Sequence, residues 1–232
     1  DKADEIITPS DIAEHVRGRD VHFPDTGLLC LENALGSGRV IGLADMKAAY
    51  DEAKRHNLPV HLDGARIFNA ATHLGVSAAD IAQYSDSLMF CISKGLCAPA
   101  GSLLLGTQEF IDKARRLRKM LGGGMRQIGI LAAAGLIALD EMAKRLHIDH
   151  ENADYLAEGL GKIDGVTVDM TKRDINLVFF TTEGFEIDPA KMLTHGIKIN
   201  GASKGVYRFA THGGITREAI NHVLKTMQEL QG

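Results

Sequence analysis

The sequence has no tryptophan, and aromatic residues make up only 5% of its 232 positions. Its one strongly basic run, "KARRLRK", has no aromatic side chain among its cations. The stacking platform that single-stranded nucleic acid uses is therefore missing, and the run reads as a solvated helix or an interface. Cysteine is scarce too: Cys30, Cys91 and Cys97 form no CxxC pair and cannot all pair with one another, which argues against a disulfide framework and for a reducing, cytoplasmic setting. Charge of one sign is not segregated. The net charge is -4 with acids and bases interspersed, which gives no basic face for a nucleic-acid polymer and no acidic tail. No apolar run is long enough to cross a bilayer; the most apolar, "IGILAAAGLIAL" at 128–139, has the length and alanine content of a buried helix. The opening "DKADEIITPSDIAEHV" lacks the basic start and apolar core of a signal peptide. Its first residue, Asp1 rather than Met, leads us to expect further chain ahead of it.

What is present is core-forming material in an alternating order. With 45% hydrophobic residues the chain can bury a large core. "PSDIAEHV" predicts a helix, "LLCLE" a strand, "LADMKAAYDEAKRHN" a helix with Leu43, Met46 and Ala49/Tyr50 at helical spacing, and "PVHL" a strand. A helix over 65–74, a short one at "SAADIAQYS", strands at "SLMFCIS" and "GSLLLG", and a helix at "QEFIDKARRLRKML" follow. The strands are near-continuous apolar runs, so the expected fold is α/β with a mostly parallel sheet covered on both faces. After the flexible joint "LGGGMRQ" come two long helices, 128–145 and 151–162, and then shorter strands at "GVTVDM", "NLVFFTT" and "YRFAT". The terminal helix "TREAINHVLKTMQELQ" opens on a Thr cap and closes on Gly232. The expected division is an α/β part over 1–124 and connecting helices with a smaller α+β part over 125–232.

Two stretches carry chemistry. In "VHLDGARIFNAA" an acid and an arginine arrive where a buried strand ends, the edge at which open α/β sheets place their ligands. In "CISKGLCAPAGSLLLG", Ser93 and Lys94 follow an apolar strand and are followed at once by small residues. A lysine there is expected to have little room to reach water, and desolvation would favour the neutral amine that forms a Schiff base. Asp63 precedes Lys94 by one βαβ-sized excursion, so both can converge on one crevice. A carboxylate beside a pyridinium nitrogen keeps it protonated, which lets a pyridoxal phosphate ring accept electrons while the lysine holds its aldehyde. Arg66 could clamp a substrate carboxylate with its two-pronged guanidinium.

At these residues the chain resembles the threonine aldolases, in the fold type I class of pyridoxal-phosphate enzymes. "HLDGARIFNAA" and "SKGLCAPAGSLLLG" look like that family's paired signatures, and "CLENALGSGRV", "LGGGMRQIGILAAA" and "YRFATHGGIT" fall in the family's order. The resemblance implies an aminotransferase-like large domain followed by a smaller α+β domain. The implied activity is a lyase that cleaves threonine or allo-threonine to glycine and an aldehyde, in a homotetramer built as a dimer of dimers. It implies that Lys94 is the attachment point of pyridoxal 5'-phosphate, that Ser93 bonds its phosphate, that Asp63 pairs with its ring nitrogen, and that Ala65 and Arg126 also bind it, Arg126 across a subunit interface. Arg66 and Arg208 would bind the substrate carboxylate. Arg208 is the one charged residue of an apolar strand pattern, where an unpaired guanidinium needs an anion.

Two departures stand out. Members of the family begin with a further segment carrying a glycine-rich phosphate turn, and they more often have a histidine, near the substrate's β-hydroxyl, at the position of Leu35. That keeps two rivals open: β-elimination or racemisation on the same cofactor, and a non-catalytic binding protein that retains the fold. Other features read as structural. His61 is expected as a hydrogen-bonded residue behind the site. "HIDH" at 147–150 is expected as surface at a helix end, with no metal assigned.

Overall fold

The computed structural model describes residues 5–18 and 20–231. Helix α1 (Pro9–His15) opens on a reciprocal box in which Thr8 and Asp11 satisfy each other's backbone amides. Strand β1 (Leu29–Glu32), helix α2 (Leu43–Arg55), β2 (Val60–Asp63), α3 (Ile67–Leu74), α4 (Ala78–Ala82) and β3 (Ser87–Cys91) then build a sheet whose first three strands are parallel. Strand β4 (Ser102–Leu105) joins β3 antiparallel, giving the order β1-β2-β3-β4. Helices α5 (Gln108–Met120) and α6 (Gly129–Asp140), a 3-10 turn (Met142–Arg145) and α7 (Leu146–Leu160) lead to a second, antiparallel sheet of β5 (Val166–Val168), β6 (Leu177–Thr182) and β7 (Tyr207–Ala210). Helix α8 (Pro189–Thr194) lies between β6 and β7, and α9 (Arg217–Gln231) ends the described chain.

Hydrophobic spacing explains the first layer. Met46, Ala49 and Ala53 face inward from α2 and meet Val60 and Leu62 of β2 and Ile67 of α3; burying each large aliphatic side chain stabilises by roughly 1.5–3 kcal/mol. In the second core, Phe180 of β6 stacks on Tyr207 and Phe209 of β7 at centroid distances of 5.5 and 5.4 Å. The two cores meet along α7, whose Leu146 belongs to the first and whose Leu156 and Leu160 belong to the second. The loop after β1 also crosses the seam. A Cβ at Gly38 would stand 2.5 Å from the Lys172 carbonyl oxygen, and φ there is +93°, so only glycine allows this approach.

Several expectations are corrected. The sheet is parallel through β3, but β4 is exposed at all four residues, so that edge is not covered on both faces. The apolar segment at 128–139 is not a buried helix: only Gly135 and Ala138 of α6 are buried, while Ile130 is 77% and Leu136 63% exposed. The long helix expected over 128–145 breaks into α6 and a 3-10 turn, and the next begins at Leu146 rather than at 151. The stretch at 189–194 carried no predicted element, yet Asp188 caps α8 by accepting the Ala190 amide, with Pro189 in its first turn. The Thr216 cap on α9 is present through the Ala219 amide, whereas Gly232 lies outside the described residues. His150 is not surface but half-buried against α3, 3.1 Å from Asn69 Nδ2.

Candidate active site

Strands β1 and β2 both end in an acid, and the register pairs Glu32 with Asp63. Alternation along each strand buries Leu31 and Leu62 and turns both carboxylates toward the other face. Past the strand end, the Asn33 amide donates to the Asp63 carbonyl at 3.0 Å and the Gly64 amide to the Met89 carbonyl at 2.8 Å, so the three parallel strands stay bound together where the side chains emerge. Asp63 Oδ1 accepts the Ala65 amide at 3.0 Å, which folds the chain toward α3. Gly64 is needed in that turn, because a Cβ there would lie 2.9 Å from the Met89 carbonyl oxygen and 3.2 Å from Ile67 Cβ.

Arg66 is half-buried immediately before α3. Burial lowers its pKa below the ordinary guanidinium range and the facing Arg208 lowers it further, while Glu32, Cys91 and Asp63 oppose them. The positive charges of Arg66, at the start of α3, and Arg208, on β7, thus act on each other, which favours a bound anion. Burial pushes the Glu32 carboxyl above the usual carboxylate range, and the neighbouring Asp63 adds to the rise. Arg66, the Gly36 amide and Lys94 pull it back. Glu32, Asp63, Arg66, Lys94 and Arg208 are therefore brought into one electrostatic neighbourhood. Glu32 escaped the sequence reading although its signal was there: "LCLE" and "VHLD" are both short strands closed by an acid.

Lys94 and Arg208 are exposed, which corrects the expectation of a crowded, desolvated amine and of a guanidinium held in apolar surroundings. After β3 the chain turns back, with the Cys97 amide donating to the Lys94 carbonyl at 2.9 Å and the Ala98 amide to Ile92 at 2.9 Å. The small residues Gly95 and Ala98 pack inward and Lys94 points out. Arg208 alternates with the buried Tyr207 on β7, an edge strand, and so takes the open face. A cavity of about 440 Å³ opens beside it, lined by Ser37, Phe179, Asn200, Ser203, Val206 and Arg208.

The remaining predicted residues are spread around this centre. Ser93 is exposed next to Lys94, and Ala65 is buried beneath Asp63. His61 Nδ1 lies 2.8 Å from Ser87 Oγ, linking β2 to β3. Leu35 sits in a tight turn, its amide donating to the Arg39 carbonyl at 2.9 Å, and its side chain packs on the first core. Arg126 is exposed in the loop between α5 and α6, and no hydrogen bond or ion pair joins it to the cluster among the described residues. Nor do three His, Cys, Asp or Glu side chains gather as a metal site would require, among those residues.

The cluster supplies a primary amine, a carboxylate whose Oδ2 takes no hydrogen bond among the described residues, a hydroxyl and two guanidinium groups. These are the groups that a pyridine ring, an aldehyde, a phosphate and an amino-acid carboxylate call for, so the residues fit pyridoxal 5'-phosphate. The fold is that of the fold type I class of pyridoxal-phosphate enzymes. The chain belongs to the beta-eliminating lyase family, whose model matches residues 1–183. It is 39% identical over 214 residues to "Low-specificity L-threonine aldolase 1" of Arabidopsis thaliana, covering 89% of this chain and 60% of that protein. It is 40% identical over 223 residues to "Low specificity L-threonine aldolase" of Escherichia coli (strain K12), covering 95% of this chain and 65% of that protein. The chain therefore spans about three fifths of the length of these relatives. Its fold is similar to that of the threonine aldolase of Leishmania major, with a TM-score of 0.78 and 19% identity over 99% of this chain and 68% of that one. No helix among the described residues is long and apolar enough to cross a membrane.

Proposed function

We propose that the protein is a pyridoxal-phosphate-dependent carbon-carbon lyase that cleaves a β-hydroxy-α-amino acid, threonine or allo-threonine, to glycine and an aldehyde. The observation that supports this reading is the position of Asp63 and Arg66 just at and past the end of β2, beside the β3 end that leads to Lys94, with the charge of Arg208 acting on Arg66. The names of the relatives above support it. Bound there, pyridoxal phosphate would supply an electron sink for the pair left at Cα when the Cα-Cβ bond breaks. Lys94 would hold the cofactor's aldehyde carbon and yield that place to the substrate amine. Asp63 would keep the ring nitrogen protonated, Ser93 would bond the phosphate, and Ala65 and Arg126 would complete the cofactor's surroundings. Arg66 and Arg208 would hold the amino acid's carboxylate and so limit the orientation of the bond that breaks. His61 and Leu35 would stand behind these residues.

In the same reading, residues 1–124 belong to the cofactor-binding large domain. Residues 125–232 supply the connecting helices, which pack back on the first core, and the small sheet. The setting is cytoplasmic, and the assembly is a homo-oligomer, a dimer of dimers. The open apolar side chains of Leu117, Met120, Ile130 and Leu136 on α5 and α6 support an assembly. Borohydride reduction of the cofactor-saturated protein followed by peptide mapping tests the site, with the adduct expected on Lys94. An adduct on another lysine, or none, overturns it. The nearest rival, β-elimination, is favoured by the family's description and by Leu35, which offers the substrate hydroxyl no hydrogen bond. Release of ammonia and a keto acid from a β-substituted amino acid, without glycine, would establish the rival.

A further inference from the structure

Asn69 and Asn176 are 3% and 6% exposed, and they join the helix beside Arg66 to the strand that carries Arg208. Asn69 Nδ2 donates to Asn176 Oδ1 at 3.2 Å and lies 3.1 Å from His150 Nε2. Asn176 Nδ2 donates to the Thr211 carbonyl at 2.6 Å, and the Asn176 carbonyl accepts the Thr211 amide at 3.0 Å. Thr211, 1% exposed, donates its hydroxyl to the Asp149 carbonyl on α7. Each end of this buried chain lies close in sequence to one arginine: Asn69 is one helical turn beyond Arg66, and Thr211 directly follows β7, on which Arg208 sits. Two residues before Asn176, Asp174 Oδ2 accepts the Val40 amide at 2.8 Å, a second tie across the same seam. The Lys94 turn also abuts the chain, since a Cβ at Gly95 would stand 3.4 Å from Asn69 Oδ1.

Apolar contact alone lets two packed elements slide, whereas buried hydrogen bonds between amides set both distance and direction, and breaking one leaves an unpaired polar group in the core. We propose that Asn69 and Asn176 are a positioning pair that fixes the separation of Arg66 and Arg208, and with it the grip on the substrate's carboxylate, without touching substrate. The proposal rests on the reading of the two arginines as that clamp. His150 serves the pair as an acceptor: burial, with His73 and His147 nearby, lowers its pKa to about 4, so its Nε2 is free to accept the hydrogen bond that Asn69 Nδ2 donates.

The test uses the full-length holoenzyme and equilibrium binding read from the absorbance of the bound cofactor. Glycine is compared with methylamine, which offers the same amine and no carboxylate. Asn176→Ala should weaken glycine by about tenfold while methylamine and cofactor affinity stay within about twofold, the pattern of a lost charge-assisted grip. Arg208→Ala should lower the glycine-to-methylamine ratio in the same direction. An unchanged ratio in Asn176→Ala beside a lowered one in Arg208→Ala overturns the positioning pair and leaves the clamp standing. An unchanged ratio in both Arg66→Ala and Arg208→Ala overturns the clamp and the pair with it. If Asn176→Ala does not fold, Asn69→Ser and Asn176→Ser, which keep a shorter polar group at the seam, decide by the same ratio.

Discussion

Glu32 and Asp63 stand at matching positions on adjacent parallel strands, so two carboxylates share one strand-end face beside Lys94 and Arg66. If Asp63 serves the cofactor's ring nitrogen, Asp63→Asn should keep the cofactor on Lys94 but lower kcat on the order of 100-fold or more, because an amide does not stabilise a charged pyridinium. A kcat close to wild type in cofactor-saturated protein would remove Asp63 from the site.

The raised pKa of Glu32 gives its own prediction. Burial first and Asp63 second make its ionised form unfavourable in the folded chain. An acid whose folded pKa lies above its unfolded one costs stability once pH rises past the ordinary carboxylate range, and the cost is complete above the folded pKa. Glu32→Gln should therefore match wild type in acid and exceed it near neutrality, by a small margin because solvent screens the site. Thermal melts of the cofactor-free protein from acid to neutral pH measure it, and a Glu32→Gln protein less stable than wild type at neutrality refutes the assignment.

His150 titrates the other way. Burial, followed by the charges of His73 and His147, lowers it from an ordinary 6.5 to about 4. The unfolded chain takes up that proton first, so stability is present above the unfolded pKa and is lost as pH falls through the window down to the folded one. The loss should be on the order of 3 kcal/mol. His150→Gln, which keeps an acceptor for Asn69, should flatten the Tm profile across that window. Equal acid slopes in the two proteins would show that another group is responsible.

Gly64→Ala should be destabilising by roughly 1–3 kcal/mol, since its Cβ would press on the Met89 carbonyl oxygen and on Ile67 Cβ. The strain falls between β2 and β3, the strands that deliver Asp63 and Lys94, so cofactor affinity should fall along with the denaturation midpoint. Unchanged affinity in a destabilised variant would separate the turn from the site.

Leu35 offers no hydrogen bond to a substrate hydroxyl, and a site without one discriminates weakly between hydroxyl epimers. The protein should distinguish threonine from allo-threonine poorly or favour a large apolar β-substituent such as that of β-phenylserine, and Leu35→His should shift that preference. The measurement is kcat/KM for the three substrates in both proteins. A strong threonine preference in wild type that the substitution leaves in place would mean that position 35 does not face the hydroxyl.

The strands β1 to β3 were legible as short apolar runs and the helix α2 by its spacing, which picks out the buried Met46 and Ala49. The break at Glu141 between α6 and α7 was not, for no glycine or proline marks it. Burial was harder still. The small residues after Lys94 read as crowding around it, but they face inward and leave it open. The apolar face of α6 looks in sequence like any core helix, since a pattern tells which residues are apolar and not which neighbour covers them. Asp63, Arg66 and Lys94 could be picked out by their flanking motifs, whereas Arg208 was joined to Arg66 only by the family resemblance, since no local pattern encodes how β7 is set against the start of α3.

Strand β4 has a further consequence, for handling the molecule. It is the outer strand of its sheet, and Leu103, Leu104 and Leu105 are each exposed there. A strand of this kind with neither a charge nor a proline within it lacks the usual guards against pairing with another chain's edge. Pairing along such an edge joins two chains, so in a preparation of this chain it would grow with concentration, and Leu104→Lys would place a guard there.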